Sequence, residues 1–98
     1  MGSTQTSIRN DDKLKEPEQY GVVLLNDDYT TMEFVVEILI TVFHKEEAEA
    51  ARIMLDVHHQ GRGMAGLYTF DIAVTKAEQV HSLARQHEFP LRCLVERA

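Results

Sequence analysis

Apolar residues occur along the chain in short runs separated by polar turns, and the spacing within each run predicts its secondary structure. Residues 20–25 are a run of strand-forming residues that stops at the polar residues 26–28, which predicts a strand. Residues 31–43 carry apolar side chains at helical spacing over a broad surface, which predicts a helix buried on more than one side. Thr30 and Glu33 have the spacing of a capping box and mark the start of this helix.

A second helix and a second strand are predicted in the middle of the chain. Residues 45–60 begin with two carboxylates near the positive end of the helix dipole and continue with apolar residues at helical spacing. Gly61 is a natural stop for this helix, because glycine readily adopts the left-handed conformation that ends many helices. Residues 64–73 then predict a strand, which Gly66 interrupts at a bulge or at a close approach of two backbones.

The last part of the chain predicts one more helix and one more strand. Thr75 and Glu78 form a second capping box and open a helix that stops before Pro90. Residues 91–95 alternate between apolar and polar side chains, as a half-buried strand does. The order β-α-α-β-α-β predicts an α+β fold, a two-layer domain with the helices packed on a small antiparallel sheet of about three strands.

The chain divides into a flexible extension and one folded domain. Residues 1–19 contain few large aliphatic side chains and cannot bury enough apolar surface to offset the entropy of ordering. We therefore expect a flexible N-terminal extension at residues 1–19 and a folded core at residues 20–98. A length of 98 residues suits a single small domain and leaves little room for a deep catalytic cleft.

Charge and composition narrow the classes of partner. The chain has 10 Lys and Arg against 16 Asp and Glu, and its net charge of -6 argues against binding to nucleic acid. Because no apolar run is long enough to span a bilayer, no association with a membrane is expected. The single cysteine, Cys93, leaves no internal disulfide, which is typical of the reducing cytoplasm. We expect a cytoplasmic monomer without a cofactor.

The densest polar cluster at an element boundary is formed by Asn26, Asp27 and Asp28, between a buried strand and a buried helix. Turn chemistry is the simplest interpretation, because Asn and Asp side chains accept hydrogen bonds from nearby backbone groups. The alternative is that their oxygens together receive a cation, either an ammonium group or a metal ion. His58, near the end of the second helix, is a further candidate, although a solvated histidine there is also favoured by the helix dipole.

Two methionines, Met32 and Met54, lie beside these polar residues on different helices. Most methionines fill cores, but the flexible thioether also lines pockets that accept several apolar ligands. An apolar wall with a polar rim would suit a peptide N-terminus whose first side chain is large. Motifs for serine hydrolases, phosphate loops and zinc sites are absent, so the enzymatic alternative is a small metal-dependent hydrolase built from Asp27, Asp28 and His58.

Taken together, several segments closely resemble the ClpS family, the adaptors that deliver N-degron substrates to the ClpA unfoldase of the ClpAP protease. The similarity spans residues 20–98, and its most specific elements are Leu-Leu-Asn-Asp-Asp-Tyr-Thr-Thr-Met-Glu-Phe-Val-Val at 24–36 and Met-Leu-Asp-Val-His-His-Gln-Gly at 54–61. Further matching positions lie at 75–76 and 87–91. The resemblance implies a non-enzymatic adaptor that binds N-terminal Leu, Phe, Tyr and Trp.

The resemblance also implies a role for each matching residue. The α-amino group of the degron would contact Asn26, Asp28 and His58, with Asp27 acting directly or through water. Met32 matches the gatekeeper that rejects β-branched first residues. The full set implied for the side-chain pocket is Leu25, Thr30, Met32, Val35, Met54, Val57 and Leu91.

The partner implied by the resemblance is the N-terminal domain of a ClpA-type AAA+ unfoldase. Its contacts would be Asp71, expected in the second strand, and Lys76, expected at the start of the third helix. Many relatives have Glu at the positions of Asp71 and Val74, and this chain departs from that pattern. A further alternative is a ClpS-like regulator of the unfoldase with altered degron preference.

Overall fold

A computed structural model describes residues 17–98, and the predicted flexible extension therefore lies almost entirely outside the described residues. The elements are β1 (Tyr20–Leu25), α1 (Met32–Thr41), α2 (Glu47–Gln60), β2 (Arg62–Tyr68), α3 (Phe70–Gln86) and β3 (Arg92–Arg97). The strand order is β2-β1-β3, and both pairings are antiparallel. The predicted α+β class, element order and three-stranded sheet are confirmed.

The helices pack on one face of the sheet and form a single hydrophobic core with it. Val22 and Leu24 of β1 belong to this core, whereas the intervening Val23 is buried outside it, as the alternation of side chains along a strand requires. The largest fully buried side chains are Leu24, Ile38, Leu39, Ile53, Val22, Val23 and Val80. The core thus holds α1, α2 and β1 together at the end where the polar residues 26–28 leave the sheet.

The predicted irregularity near Gly66 is confirmed. Val22 pairs with Gly66 and Val23 pairs with Met64, so Ala65 is the extra residue of a β-bulge. A β-carbon on Gly66 would lie 2.5 Å from the hydroxyl oxygen of Tyr68, so a side chain at this position would require the Tyr68 ring to shift.

The predicted start of α1 is wrong by one residue. Thr31, not Thr30, is the N-cap, and its hydroxyl accepts a hydrogen bond from the Phe34 backbone N–H at 3.1 Å. The Thr30 hydroxyl instead donates to Asp27 at 2.7 Å. The Thr30 hydroxyl is therefore bonded within the loop and does not cap α1.

The predicted boundary between β2 and α3 is also wrong. β2 ends at Tyr68 and α3 begins at Phe70, so Asp71 lies in the first turn of the helix and not in a strand. The buried stripe of α3 explains this, because Ala73, Ala77, Val80 and Ala84 follow the helical period and begin before Thr75. The Thr75 hydroxyl consequently donates to the Asp71 carbonyl within the helix at 3.1 Å and caps nothing.

Cys93 on β3 is buried, and burial raises the pKa of its thiol to about 11. Its backbone N–H donates to the Nε2 atom of His81 on α3 at 3.1 Å. Burial is also the main cause of the lowered pKa of His81, and the nearby Arg85 and Arg92 charges add to it. None of the helices within residues 17–98 is long and apolar enough to cross a membrane.

Candidate functional site

The loop that follows β1 is tied to the end of α2. The backbone N–H of Asn26 donates to the carbonyl of Gly61 at 3.0 Å. Gly61 ends α2 in the left-handed conformation, with φ 88°, and its N–H returns to the Val57 carbonyl at 3.0 Å. This link places His58, in the last turn of α2, beside the polar loop although the two are far apart in sequence.

The Asp27 carboxylate organises the loop from inside. Its Oδ1 atom accepts hydrogen bonds from the backbone N–H groups of Tyr29 at 2.8 Å and Thr30 at 2.7 Å, and Oδ2 accepts one from the Thr30 hydroxyl. Burial raises the pKa of Asp27, but the hydrogen bonds from Thr30 and Tyr29 outweigh it and hold the pKa below its usual range. The turn-chemistry interpretation therefore describes Asp27, whereas Asn26 and Asp28 are exposed.

A pocket of about 260 Å³ lies between this loop and the two helices. Its floor includes the buried Val35 of α1 and Val57 of α2, and Met54 is half-buried beside them. Met32 lines the pocket and 45% of the residue's surface is exposed, which places a flexible thioether at the mouth. The complete lining is Asn26, Asp27, Asp28, Thr30, Met32, Val35, Met54, Val57 and His58.

The lining of the pocket combines polar groups with apolar side chains. Oxygen atoms of the loop and the imidazole of His58 offer acceptors at one side, and valine and methionine side chains offer an apolar surface at the other. Its volume is below the ~300–1,000 Å³ of pockets for drug-sized ligands, and it suits a single amino-acid side chain. Within residues 17–98, no group of three His, Cys, Asp or Glu side chains is placed to hold a metal ion.

Two residues implied for the pocket lie elsewhere. Leu91 is buried, with 3% of its surface exposed, and belongs to the core. Leu25 lines a neighbouring depression of about 270 Å³ together with Asn26, Asp27, Pro90 and Arg92. The sequence pattern does not single out Arg92, because its position opposite Leu25 depends on the register of β1 and β3.

The two residues implied for the partner contact differ in their surroundings. Asp71 is exposed at the start of α3 and accepts a hydrogen bond from the Thr69 hydroxyl at 2.8 Å, which lowers the pKa of Asp71. Lys76 is half-buried, and its Nζ donates to the carbonyl of Val42 at 2.7 Å. It also lies 5.8 Å from the centre of the Tyr68 ring, so it connects α3 to the end of α1.

Replacing Asp27 by alanine should destabilise the fold by about 1–2 kcal/mol, because two backbone donors and one hydroxyl lose their acceptor. The pKa of Asp27 is lower in the folded chain than its usual value of 3.8, so this stabilisation is complete above the unfolded pKa and is lost as pH falls through the folded pKa. Urea unfolding at pH 7 and pH 3 measures both effects. The difference in the free energy of unfolding between the wild type and Asp27→Ala should be smaller at pH 3 than at pH 7.

The control for this measurement is Asp56→Ala, which removes a carboxylate that forms an exposed ion pair with Arg52 at 3.1 Å. Exposed pairs contribute about 0–1 kcal/mol, so this variant should stay close to the wild type. Equal stability of Asp27→Ala and the wild type at pH 7 would contradict the organising role of Asp27.

Comparisons with known proteins give a consistent result. The profile of the family described as "ATP-dependent Clp protease adaptor protein ClpS" matches residues 15–94. The ATP-dependent Clp protease adapter protein ClpS of Syntrophus aciditrophicus is 58% identical over 92 residues, which are 94% of this chain and 86% of the relative. The corresponding protein of Acetivibrio thermocellus is 61% identical over 82 residues, 84% of this chain and 83% of the relative.

A solved structure is similar as well. Agrobacterium tumefaciens ClpS2 bound to L-phenylalaninamide matches with a TM-score of 0.81 and 38% sequence identity. The match covers 85% of this chain and 100% of that chain. The similarity therefore includes the whole of the solved chain.

Proposed function

Because this chain belongs to the ClpS family of ATP-dependent Clp protease adaptor proteins, we propose that it binds destabilising N-terminal residues and delivers their proteins for degradation. The observation that carries the proposal is the pocket, where loop oxygens and an imidazole stand at one side of an apolar floor. An amino acid with a free amino group and a large side chain needs both parts. Phenylalaninamide, the ligand of the similar Agrobacterium structure, has this chemistry.

In the proposed complex the α-amino group is held by Asn26, Asp28 and His58. Amide and carboxylate oxygens accept hydrogen bonds from an ammonium group, and a neutral imidazole nitrogen accepts a third. The Asp27 oxygens already accept bonds from Tyr29 and Thr30, so its contribution is to hold the loop in the binding geometry. One acceptor position of its Oδ2 atom remains for a water molecule that reaches the ligand.

The first side chain of the substrate enters the apolar part of the pocket. Its contacts there are Thr30, Met32, Val35, Met54 and Val57, and Leu91 supports the floor from the core. Fully burying a Leu or Phe side chain contributes roughly 1.5–3 kcal/mol, which favours Leu, Phe, Tyr and Trp. Met32 at the mouth of the pocket excludes β-branched first residues. Val, Ile and Thr carry two heavy atoms on the β-carbon, which makes them wide at the point that passes Met32.

The protein acts without catalysis, as a cytoplasmic monomer that transfers the substrate to the N-terminal domain of a ClpA-type unfoldase. The proposed docking surface is centred on Asp71, and Phe70 and Ile72 beside it are 55% and 47% exposed. Phe70 is held in place by edge-to-face packing on Tyr20, with ring centroids 5.0 Å apart. Lys76 contributes by fixing α3 against α1 rather than through a free charge.

Degradation of a reporter protein that begins with phenylalanine tests this function. The adaptor should accelerate its degradation by the ClpA-type unfoldase and its protease. Asp71→Arg should reduce that acceleration by at least about five-fold, because reversing the charge at the centre of the docking surface disrupts its electrostatic complementarity to the partner. Peptide binding should be unchanged in this variant. Glu37→Arg, on α1, is the matched charge reversal and should retain delivery.

Each outcome of this assay has a separate meaning. If the wild-type adaptor does not accelerate degradation, the delivery function is wrong. If Asp71→Arg and Glu37→Arg deliver equally well, the contact surface is wrong although the function stands.

A further inference from the structure

The depression lined by Leu25, Asn26, Asp27, Pro90 and Arg92 lies directly beside the pocket. Asn26 and Asp27 line both cavities, so the polar loop is the wall that separates them. A peptide anchored at this loop by its amino group would therefore meet the depression within its next residue, since one extended residue spans about 3.3–3.6 Å.

Arg92 gives this depression a positive charge, whereas the lining of the pocket contains no Lys or Arg. Leu25 of β1 pairs with Arg62 of β2 on one side and with Arg92 of β3 on the other. Directly paired residues project to the same face of a sheet, so the side chains of Arg62 and Arg92 leave the sheet on the same face as Leu25. Arg62 forms an ion pair with Glu96, whereas Arg92 has no carboxylate at ion-pair distance within residues 17–98.

The acidic side chain in this lining, that of Asp27, forms no ion pair with Arg92. The Asp27 carboxylate is directed into its own loop, where it accepts three hydrogen bonds. Arg92 is exposed, and a planar guanidinium group can bind a carboxylate through two parallel hydrogen bonds.

We propose that the depression receives the side chain of the second residue of a bound peptide, and that Arg92 gives this position a preference for Asp or Glu. The proposal rests on the proposed function, because it requires the first residue to occupy the pocket. Successive side chains of an extended peptide point in opposite directions, so the first and second side chains enter cavities on the two sides of the loop.

The overall charge of the protein predicts the opposite result. With a net charge of -6, the chain as a whole repels acidic peptides and attracts basic ones. A preference for an acidic second residue can therefore come only from a local positive group, and the preference should weaken as salt screens the pair.

The experiment compares fluorescent peptides that begin with Phe-Asp or Phe-Asn and are otherwise identical. The Phe-Asp peptide should bind about three-fold tighter at low salt, the size expected of one partly exposed ion pair. Moving the same Asp/Asn exchange to position five should remove the gain or reverse it. Equal affinities at position two, or an equal gain at position five, would overturn the proposal.

Variants of Arg92 identify the source of the preference. Arg92→Leu should abolish the difference between the two peptides, and Arg92→Lys should retain part of it. Arg97→Leu is the matched control, because Arg97 is an exposed arginine at the opposite end of the same strand. A preference that survives Arg92→Leu, or that is lost equally in Arg97→Leu, contradicts the assignment.

Failure of this proposal is distinguishable from failure of the proposed function. If no peptide with a free N-terminal phenylalanine binds, the function itself is wrong. If both peptides bind with equal affinity and Arg92→Leu changes neither affinity, the proposed role of the pocket is retained and the second position has no preference for an acidic residue.

Discussion

Replacing Asp28 by alanine should weaken the binding of a peptide that begins with phenylalanine by at least about ten-fold. Asp28 lines the pocket and its carboxylate is exposed there, without the internal hydrogen bonds that occupy Asp27. Hydrogen bonds to charged groups contribute about 1.5–3 kcal/mol, and 1.4 kcal/mol corresponds to a factor of ten in affinity. The lower end of this range applies because solvent reaches the rim of the pocket.

The fold should tolerate this substitution, so the loss can be assigned to binding. Melting temperature checks the fold, and isothermal titration or fluorescence anisotropy measures the affinity. Asp28→Asn should lie between the wild type and Asp28→Ala, because the amide oxygen still accepts a hydrogen bond but carries no charge. His58→Ala should also weaken binding.

Glu37→Ala is the matched control for the loss of one negative charge, since Glu37 lies exposed on α1 and does not line the pocket. If Asp28→Ala and Glu37→Ala bind the peptide equally well, Asp28 does not hold the amino group.

Local patterns were sufficient to predict most of the fold. The strand at residues 20–25 has the bounds that its apolar run predicts, and α2 ends at Gly61 for the conformational reason that the glycine suggested. Both features depend on neighbouring residues alone. The two-layer arrangement follows because each element has one apolar face that must be buried.

The two wrong predictions, the start of α1 and the boundary between β2 and α3, lie where the local sequence is compatible with two structures. Thr30 could cap α1 or bond to Asp27, and only the folded loop brings the Asp27 carboxylate to its hydroxyl. Residues 69–73 alternate as a strand would, yet Phe70 and Ile72 are exposed because this segment is the first turn of α3. The burial of Ala73 against the core decides between the two, and burial is a tertiary property.

The pocket was predictable in its composition but not in its full geometry. The resemblance of the two motifs placed the loop and the end of α2 together, and the hydrogen bond from Asn26 to Gly61 is the contact that achieves this. The position of Leu25 required the sheet register, which places it opposite Arg92. Leu91 lies just before β3, and its burial in the core is a tertiary property. Arg92 was missed for the same reason, since the residue opposite it lies in another strand.

Acetylation of the substrate's amino group should produce the largest loss of all. The acetyl group removes the positive charge and two of the three donors of the ammonium, and it adds bulk at the rim formed by Asn26, Asp28 and His58. Oxygen atoms of the rim would then be covered by the ligand without a cation to pair with. Losing two charge-assisted hydrogen bonds corresponds to at least about a hundred-fold in affinity.

The most direct measurement is therefore an anisotropy titration of two peptides that begin with phenylalanine and differ only in an acetyl group on the first nitrogen. A third peptide that begins with valine reports on the side-chain pocket. The account predicts saturable binding of the free peptide, binding at least about a hundred-fold weaker for the acetylated one, and weaker binding of the valine peptide. Equal binding of the free and acetylated peptides would contradict recognition of the N-terminus by this pocket.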